Sequence, residues 1–247
     1  MKNRILHLSL ITIASISLTA CGGGSTTTNG VTYINTKLLQ DLNNDGNMDI
    51  QKNYTYSPTC KVTLEKVDTN MDNATDKQVT YIYNSSDLLI LKKYDNNMDN
   101  STDMTQSFTY NSNDKINQIN YSPSNVKYNY TYNSNNQISQ MTIDTNGDSV
   151  VNEILYPTYD ANGNIVRRDK NTVTSSTDTT IDSVTYITYN SNNKITKKEE
   201  DTNNDGIIEQ VTKYTYDSNG NLSQKRIDLN NDGTNNAVEY YTWQVCP

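Results

Sequence analysis

Aromatic residues recur at a nearly constant spacing along most of the chain, and another bulky residue lies two positions before each of them. We call the recurring residues the markers; they are Tyr56, Tyr83, Tyr110, Tyr132, Tyr159, Tyr189, Tyr216 and Trp243. The steps between them are 27, 27, 22, 27, 30, 27 and 27 residues. The preceding bulky residues are Tyr54, Tyr81, Phe108, Tyr130, Pro157, Ile187, Tyr214 and Tyr241. Side chains two positions apart lie on one face of a strand, so the pattern predicts a strand ending near each marker.

Turn-forming residues and then an aliphatic residue follow most markers. Asp160-Ala161-Asn162-Gly163 precedes Ile165, and Asp217-Ser218-Asn219-Gly220 precedes Leu222. Asn-Gly is a strong hairpin signal because both residues tolerate positive φ. The sequence therefore predicts an all-β fold of repeated antiparallel β-hairpins, with about sixteen short strands if an opening strand near residues 33–40 is counted. Open sheets rarely exceed ~10 strands without curling, so we expect a curled or closed meandering sheet with tyrosines on its concave face.

Two copies of the repeat resemble a known sequence motif. Tyr214-Thr215-Tyr216-Asp217-Ser218-Asn219-Gly220-Asn221-Leu222 and Tyr159-Asp160-Ala161-Asn162-Gly163-Asn164-Ile165 are similar to the YD repeat of bacterial RHS proteins. The other copies are degenerate, and the resemblance spans roughly residues 50–245. It implies a long meandering sheet that coils into a shell or barrel, and it contributes no catalytic residue.

The N-terminal segment has the pattern of an export signal. Lys2 and Arg4 precede an apolar run, and this run is too short to span a membrane. Leu18-Thr19-Ala20-Cys21 resembles the lipobox of bacterial lipoproteins. The resemblance implies a signal peptide over 1–20, acylation of Cys21 (including palmitate) and, because Gly22 follows, an outer-membrane location in the cell envelope. An ordinary signal peptide cut at the small residues is the alternative. We expect 21–32 to be a lipidated, flexible tether and 33–247 to be the repeat domain.

A second motif, rich in Asp and Asn, begins twelve residues after most markers. Its six copies consist of Asp41, Asn43, Asp45 and Asp49; Asp68, Asn70, Asp72 and Asp76; Asp95, Asn97, Asp99 and Asp103; Asp144, Asn146, Asp148 and Asn152; Asp201, Asn203, Asp205 and Glu209; and Asp228, Asn230, Asp232 and Asn236, with Glu239 three residues later. These copies resemble the D-x-N-x-D-G calcium loops of EF-hand and dockerin proteins. The last copy also has the Glu that an EF-hand loop carries at position twelve.

Calcium binds six to eight hard oxygen atoms, which positions 1, 3 and 5 supply if the chain turns sharply at position 6. Position 9 carries Asp, Glu or Asn in all six copies, so we predict calcium at some or all of these loops. The alternative is an ordinary solvated turn, because turns also favour Asp, Asn and Gly. The flanking residues read as strands, which disfavours a helix-opening calcium sensor.

Charge and composition narrow the possible functions. The formal net charge is -8, which argues against nucleic acid as a partner and favours cations. The single histidine is His7, within the predicted signal peptide, which disfavours His-dependent nucleophilic sites. We expect a non-enzymatic, lipid-anchored surface protein whose role is structural or adhesive. The alternative is a carbohydrate-binding module that uses the tyrosine-lined face. A membrane-spanning barrel fits poorly, because the predicted strands are shorter than the ~9–11 residues that a bilayer requires.

Cys60 and Cys246 are the two thiols that remain if Cys21 is lipidated. They follow the first and the last marker, and export places them in an oxidising compartment. We therefore predict a disulfide between them. A disulfide requires Cα atoms within ~7 Å, so the predicted bridge requires the ends of the sheet to approach each other. The alternative is two separate buried thiols, which behave as small apolar residues.

Overall fold

The computed structural model describes residues 25–28 and 30–246, which form seventeen antiparallel β-strands. The strands are β1 (Ser25–Thr28), β2 (Val31–Asp41), β3 (Ile50–Tyr56), β4 (Val62–Asp68), β5 (Lys77–Tyr83), β6 (Leu89–Asp95), β7 (Met104–Tyr110), β8 (Ile116–Ser122), β9 (Lys127–Tyr132), β10 (Ile138–Asp144), β11 (Glu153–Tyr159), β12 (Ile165–Thr172), β13 (Ser183–Tyr189), β14 (Ile195–Asp201), β15 (Gln210–Tyr216), β16 (Leu222–Asp228) and β17 (Ala237–Val245).

Sixteen of these strands close into a barrel. Each strand from β2 to β17 pairs with its neighbours in sequence, and β17 pairs with β2 to complete the ring. The predicted all-β fold of repeated hairpins is therefore confirmed, and of the two expected forms of the sheet the structure shows the closed one. The closing pair is itself a hairpin repeat assembled from the two chain termini, with Trp243 opposite Asn35.

Every hairpin has the same irregularity at its marker. In β3–β4, Thr55 pairs with Leu64 but Tyr56 pairs with Val62, so Thr63 is an extra residue on the return strand. The same register shift occurs in the other seven hairpins. Such bulges increase local twist and curvature, which a long sheet needs in order to close.

Each marker side chain joins its hairpin to the preceding one. The tyrosine hydroxyl or the Trp243 indole N–H donates a hydrogen bond to a backbone carbonyl of the preceding return strand; for example, Tyr83 Oη donates to the Val62 carbonyl at 2.9 Å. All eight markers make this bond, with donor–acceptor distances of 2.6–3.0 Å. We call this set the marker ring. It gives the phenol and indole groups of the repeat a structural role, which the two-residue spacing did not predict.

The inner face of the barrel holds the core, and the outer face is polar. One apolar cluster consists of Leu38, Tyr54 and Val62, and a second consists of Met141, Ile143 and Leu155. The alternate residues are exposed and include, at mid-strand, Thr55, Lys66, Lys93, Thr131, Lys213 and Arg226. The tyrosine-rich face predicted to be concave is thus the wall of the lumen.

The short hairpin turns lie together at one end of the barrel, which we call the turn rim. The disulfide between Cys60 and Cys246 lies there, with its Cα atoms 6.1 Å apart, and it joins the first hairpin turn to the end of β17. The expected approach of the two sheet ends is confirmed. Cys60 has φ 62°, the left-handed conformation that Gly163 and Gly220 adopt at the same turn position.

The tether prediction is wrong for residues 25–28. These residues form β1, which pairs with β2 through Ser25 opposite Ile34 and Thr28 opposite Val31. β3 pairs only with Lys37 to Gln40 of β2, so the earlier part of β2 has backbone groups on this edge that β3 does not bond. β1 pairs with that part of the edge, and three of its four residues are threonines, which have high β propensity. Gly30, with φ 78°, makes the turn between the two strands.

Candidate calcium-binding rim

Eight further connections lie at the opposite end of the barrel, which we call the loop rim. Six of them are the predicted acidic loops. The other two, residues 123–126 and 173–182, lack the motif. Closure of the barrel thus brings all six predicted sites to one edge.

The six loops share one hydrogen-bond pattern within each loop. The position 1 Asp lies at the end of a strand, is 1–7% exposed, and accepts a hydrogen bond from the backbone N–H of position 6. The position 5 Asp accepts one from the N–H of position 7. These bonds wrap the loop around its carboxylates, which is how a short acidic segment folds back without a core of its own.

Position 9 has a role that needs no ion. Its side-chain oxygen accepts a hydrogen bond from the N–H of position 2 in all six loops, at 2.6–2.7 Å. The constant oxygen at this position, taken from the sequence as a sign of calcium, is therefore also what the turn itself requires.

Two positions of each loop adopt the left-handed conformation. The sharp turn expected at position 6 is present, with φ of 66° to 90°. Position 4 also has positive φ in all six loops, at 52° to 78°, which the sequence analysis missed. Asn or Gly occupies position 4 in four copies and could have signalled it; Met71 and Met98 occupy the other two and could not.

The loop rim concentrates negative charge. Counted from the position 1 residues through position 9, four of the loops carry three carboxylates each, and the copies that begin at Asp144 and Asp228 carry two. The 173–182 loop adds Asp178 and Asp182, and Lys and Arg are absent from all eight connections. Such a ring of one sign attracts cations whether or not a specific site exists.

One loop brings its acids together closely enough for a single ion. Asp201, Asp205 and Glu209 each place a carboxylate oxygen within 4.8 Å of the others, the one such acidic triplet among residues 25–28 and 30–246. Oxygens on opposite sides of a calcium ion lie about 5 Å apart, twice the bond length, so the three fit one coordination sphere. They occupy positions 1, 5 and 9.

Asn at position 3 has an orientation that a bound ion would change. In this loop Asn203 Oδ1 accepts from the Asp205 N–H at 3.0 Å, and Asn203 Nδ2 donates to Asp205 Oδ2 at 3.0 Å. The equivalent Nδ2 bond to the position 5 carboxylate occurs in all six loops. An ion held by both side chains would replace that Nδ2 bond.

The remaining predicted ligands differ in their fit. In the loop beginning at Asp95, the Oδ1 atom of Asp95 is buried and has no hydrogen-bond partner among the described residues, so an oxygen is left for a cation. Glu239, the position-twelve residue of the last copy, is not part of its loop. It is 6% exposed on the lumen wall, where it pairs with Lys225 at 3.2 Å and accepts from Gln40 at 3.0 Å.

Hydrogen bonds keep several rim carboxylates ionised. The Thr69 hydroxyl and N–H lower the pKa of Asp76, and those of Ser101 lower the pKa of Asp99. For Asp144 burial acts to raise the pKa, but backbone N–H donors from Gly147 and Ser149 outweigh it and the pKa falls. The charged form is also the one that binds a metal ion.

Cys21 and the signal peptide lie outside the described residues. Among the described residues there is no helix with the length and apolar character of a membrane span.

The fold defines a class: a closed, sixteen-stranded antiparallel barrel of eight hairpin repeats with one acidic rim. Among solved structures, the chain is similar to a porin-like protein from Bacteroides uniformis ATCC 8492, with 13% identity, a TM-score of 0.55, and coverage of 88% of this chain and 99% of that one. At this identity the likeness concerns the fold alone.

Weaker similarities involve Tc toxin components. The TcdB2-TccC3 structure aligns with 78% of this chain at 14% identity and a TM-score of 0.38, and this chain spans 10% of its length. The Photorhabdus luminescens Tc holotoxin pore gives a TM-score of 0.39. These scores are too low to carry an argument, so the YD-repeat resemblance rests on the sequence motifs. No protein-family model and no curated protein sequence matches the chain.

Proposed function

We propose that this chain is a lipid-anchored protein of the cell envelope whose acidic rim binds calcium, and that its role is structural or adhesive. The observation that carries the proposal is the grouping of Asp201, Asp205 and Glu209 within 4.8 Å. A calcium ion there would cross-link the two ends of the loop between β14 and β15 and offset the repulsion among its three carboxylates.

The geometry of the barrel supports presentation of this rim away from the membrane. β2 enters at the turn rim, and Ser25 lies beside Ile34 near that end. Ser25 lies four residue steps after Cys21, a reach of about 14 Å at most if extended. A lipid on Cys21 would hold the turn rim at the membrane and direct the loop rim outward.

Calcium titration of the mature chain tests the binding. An ion that binds only the folded state adds RT ln(1 + [L]/Kd) to stability, so millimolar calcium should raise the melting temperature relative to chelator. Asp201→Asn combined with Asp205→Asn keeps side-chain size and should abolish the calorimetric signal of this site. The matched control, Asp178→Asn combined with Asp182→Asn, alters a rim loop without the motif and should leave the signal unchanged. Identical melting curves in chelator and calcium would show that the loops are ordinary turns.

Fractionation tests the anchor separately. The wild-type chain should partition into detergent, and Cys21→Ser should release it in soluble or unprocessed form. A variant that fractionates and migrates like wild type would overturn the lipoprotein assignment.

The glycan-binding alternative has less support. The hydroxyls of the seven tyrosine markers donate to backbone carbonyls, and the rings line the lumen instead of forming an exposed platform. The marker ring accounts for these tyrosines without a ligand.

A further inference from the structure

Three basic side chains lie close together on one part of the lumen wall. The residue nine positions after each tyrosine marker faces the lumen. In three consecutive hairpins this residue is basic: Arg168, Lys198 and Lys225. The charges are close enough to interact: burial lowers the pKa of Lys198, and Arg168 and Lys225 lower it further, while Glu200 opposes this. A chain of net charge -8 thus carries a cluster of positive charge inside its barrel.

Two of the three cations are paired and one is not. Lys198 lies 3.0 Å from Glu200, and Lys225 lies 3.2 Å from Glu239. Arg168 has no carboxylate within 4.0 Å among the described residues. Its one hydrogen bond is a long one, 3.4 Å from Nη2 to Thr185 Oγ1.

Arg168 therefore has N–H donors that are available to a ligand. The guanidinium carries five N–H donors and stays protonated, so four of its donors lack a protein acceptor in the described part of the chain. Burial lowers the pKa of Arg168, which reflects the cost of holding this charge partly away from water. A planar acceptor with two oxygens compensates this desolvation best, because it accepts two hydrogen bonds from the guanidinium in bidentate geometry.

The surroundings leave room and add a hydroxyl. Solvent reaches the lumen beside this cluster, because its side chains are partly exposed: 26% for Lys198, 28% for Glu200 and 20% for Lys225. A barrel of sixteen strands is wide enough for an aqueous interior. Tyr214 lies opposite Lys225 on the same wall and is close enough to Arg168 for the two side chains to interact electrostatically. Its hydroxyl makes no hydrogen bond within residues 25–28 and 30–246.

We infer that Arg168 and Tyr214 form a lumenal binding site for a small carboxylate ligand. The charge balance favours a carboxylate over dianionic phosphate: Arg168, Lys198 and Lys225 against Glu200 and Glu239 leave one net positive charge, which a monoanion neutralises. A dianion would leave an uncompensated negative charge in a partly desolvated lumen.

The test uses the mature chain at pH 8, where inorganic phosphate is mainly the dianion, and in the presence of chelator, so that calcium binding and this site are measured independently. Galacturonate, acetate, inorganic phosphate and neutral galactose are titrated calorimetrically. We expect the two carboxylates to bind more tightly than phosphate, and we expect galactose not to bind. If galacturonate binds and acetate does not, the ligand is an acidic sugar. If both bind equally, the site accepts carboxylates in general.

Variants locate the site. Arg168→Gln should weaken carboxylate binding by about tenfold or more, since charge-assisted hydrogen bonds are lost. Arg168→Lys keeps the charge but not the fork and should give an intermediate loss, which also serves if the Gln variant fails to fold. Arg167→Gln is the matched control, because Arg167 is the neighbouring residue on the outer face, paired with Asp169 at 2.7 Å. Absence of carboxylate binding, equal affinity in all variants, or tighter binding of phosphate or galactose would overturn the inference.

Discussion

The two rims of this barrel are built from the same repeat but hold together in different ways. At the turn rim, neighbouring hairpins are bonded to each other by the marker ring, by the Cys60–Cys246 disulfide and by contacts such as Asn164 Nδ2 to Asn193 Oδ1 at 3.1 Å. At the loop rim, most bonds run within a single loop. Bonds between loops include Asn204 Nδ2 to the Ile181 carbonyl and Asn231 Nδ2 to the Ile208 carbonyl.

This difference gives the two rims different roles in the stability of the barrel. The turn rim fixes the order and closure of the repeats, so changes there should act on the whole barrel. The loops satisfy their own polar groups, so each can change its sequence, or bind an ion, without disturbing its neighbours. Residues 123–126 and 173–182 illustrate this, because the barrel closes although both connections lack the motif.

High pH should destabilise the barrel more than any substitution considered below, because it ionises the marker ring. Burial raises the pKa of Tyr83, Tyr110, Tyr132 and Tyr216 to about 12 from a usual value of 10.0. The folded state therefore holds protons that the unfolded state releases, so this stabilisation is complete below pH 10 and is lost as the pH rises towards 12. We expect tyrosinate absorbance and loss of β circular dichroism to appear together in one cooperative transition. Complete development of the tyrosinate absorbance near pH 10, marker tyrosines included, while the barrel stays folded would contradict this.

Removal of the disulfide should be next in size. The bridge restrains a segment of 186 residues, and the entropic model gives nearly 5 kcal/mol as an upper value for loops above ~100 residues. Cys60→Ser combined with Cys246→Ser should lower the urea midpoint strongly, because the closing repeat is then held by hydrogen bonds and packing alone. The control is the wild type under reducing conditions, which should match the double variant. A midpoint equal to that of the oxidised wild type would show that the β2–β17 pairing closes the barrel unaided.

Removal of a single hydrogen bond should change the unfolding free energy least, and one bond from each rim can be compared. Tyr110→Phe removes the 2.6 Å bond from the Tyr110 hydroxyl to the Leu89 carbonyl, and Asn152→Ala removes the 2.7 Å bond from the Thr145 N–H to Asn152 Oδ1. Each should cost about 1 kcal/mol of unfolding free energy or slightly more. Amide hydrogen exchange distinguishes them: Tyr110→Phe should speed exchange in both adjacent hairpins, and Asn152→Ala only in its own loop. The same exchange pattern in both variants would remove the distinction between the rims.

The repeat, the strand type and the position of most turns could be predicted from the sequence. Spacings of two and of about 27 residues report local backbone periodicity, and Asn and Gly report positive φ, so these features can be read from the chain without knowing its neighbours. The six acidic loops were located for the same reason.

Features that depend on residues far apart in sequence could not be predicted in this way and are set by the closed barrel. Closure pairs β17 with β2, and it converts the tyrosine face into a lumen wall. Glu239 fits position twelve of a calcium loop by spacing, yet strand alternation carries it onto the lumen wall beside Lys225. Position 9 illustrates the same limit, because an oxygen that suggests a metal ligand in the sequence is the acceptor for a backbone N–H seven residues earlier in the structure. Spacing fixes which residues recur, but the partner of each side chain is set by the curvature and register of the closed sheet.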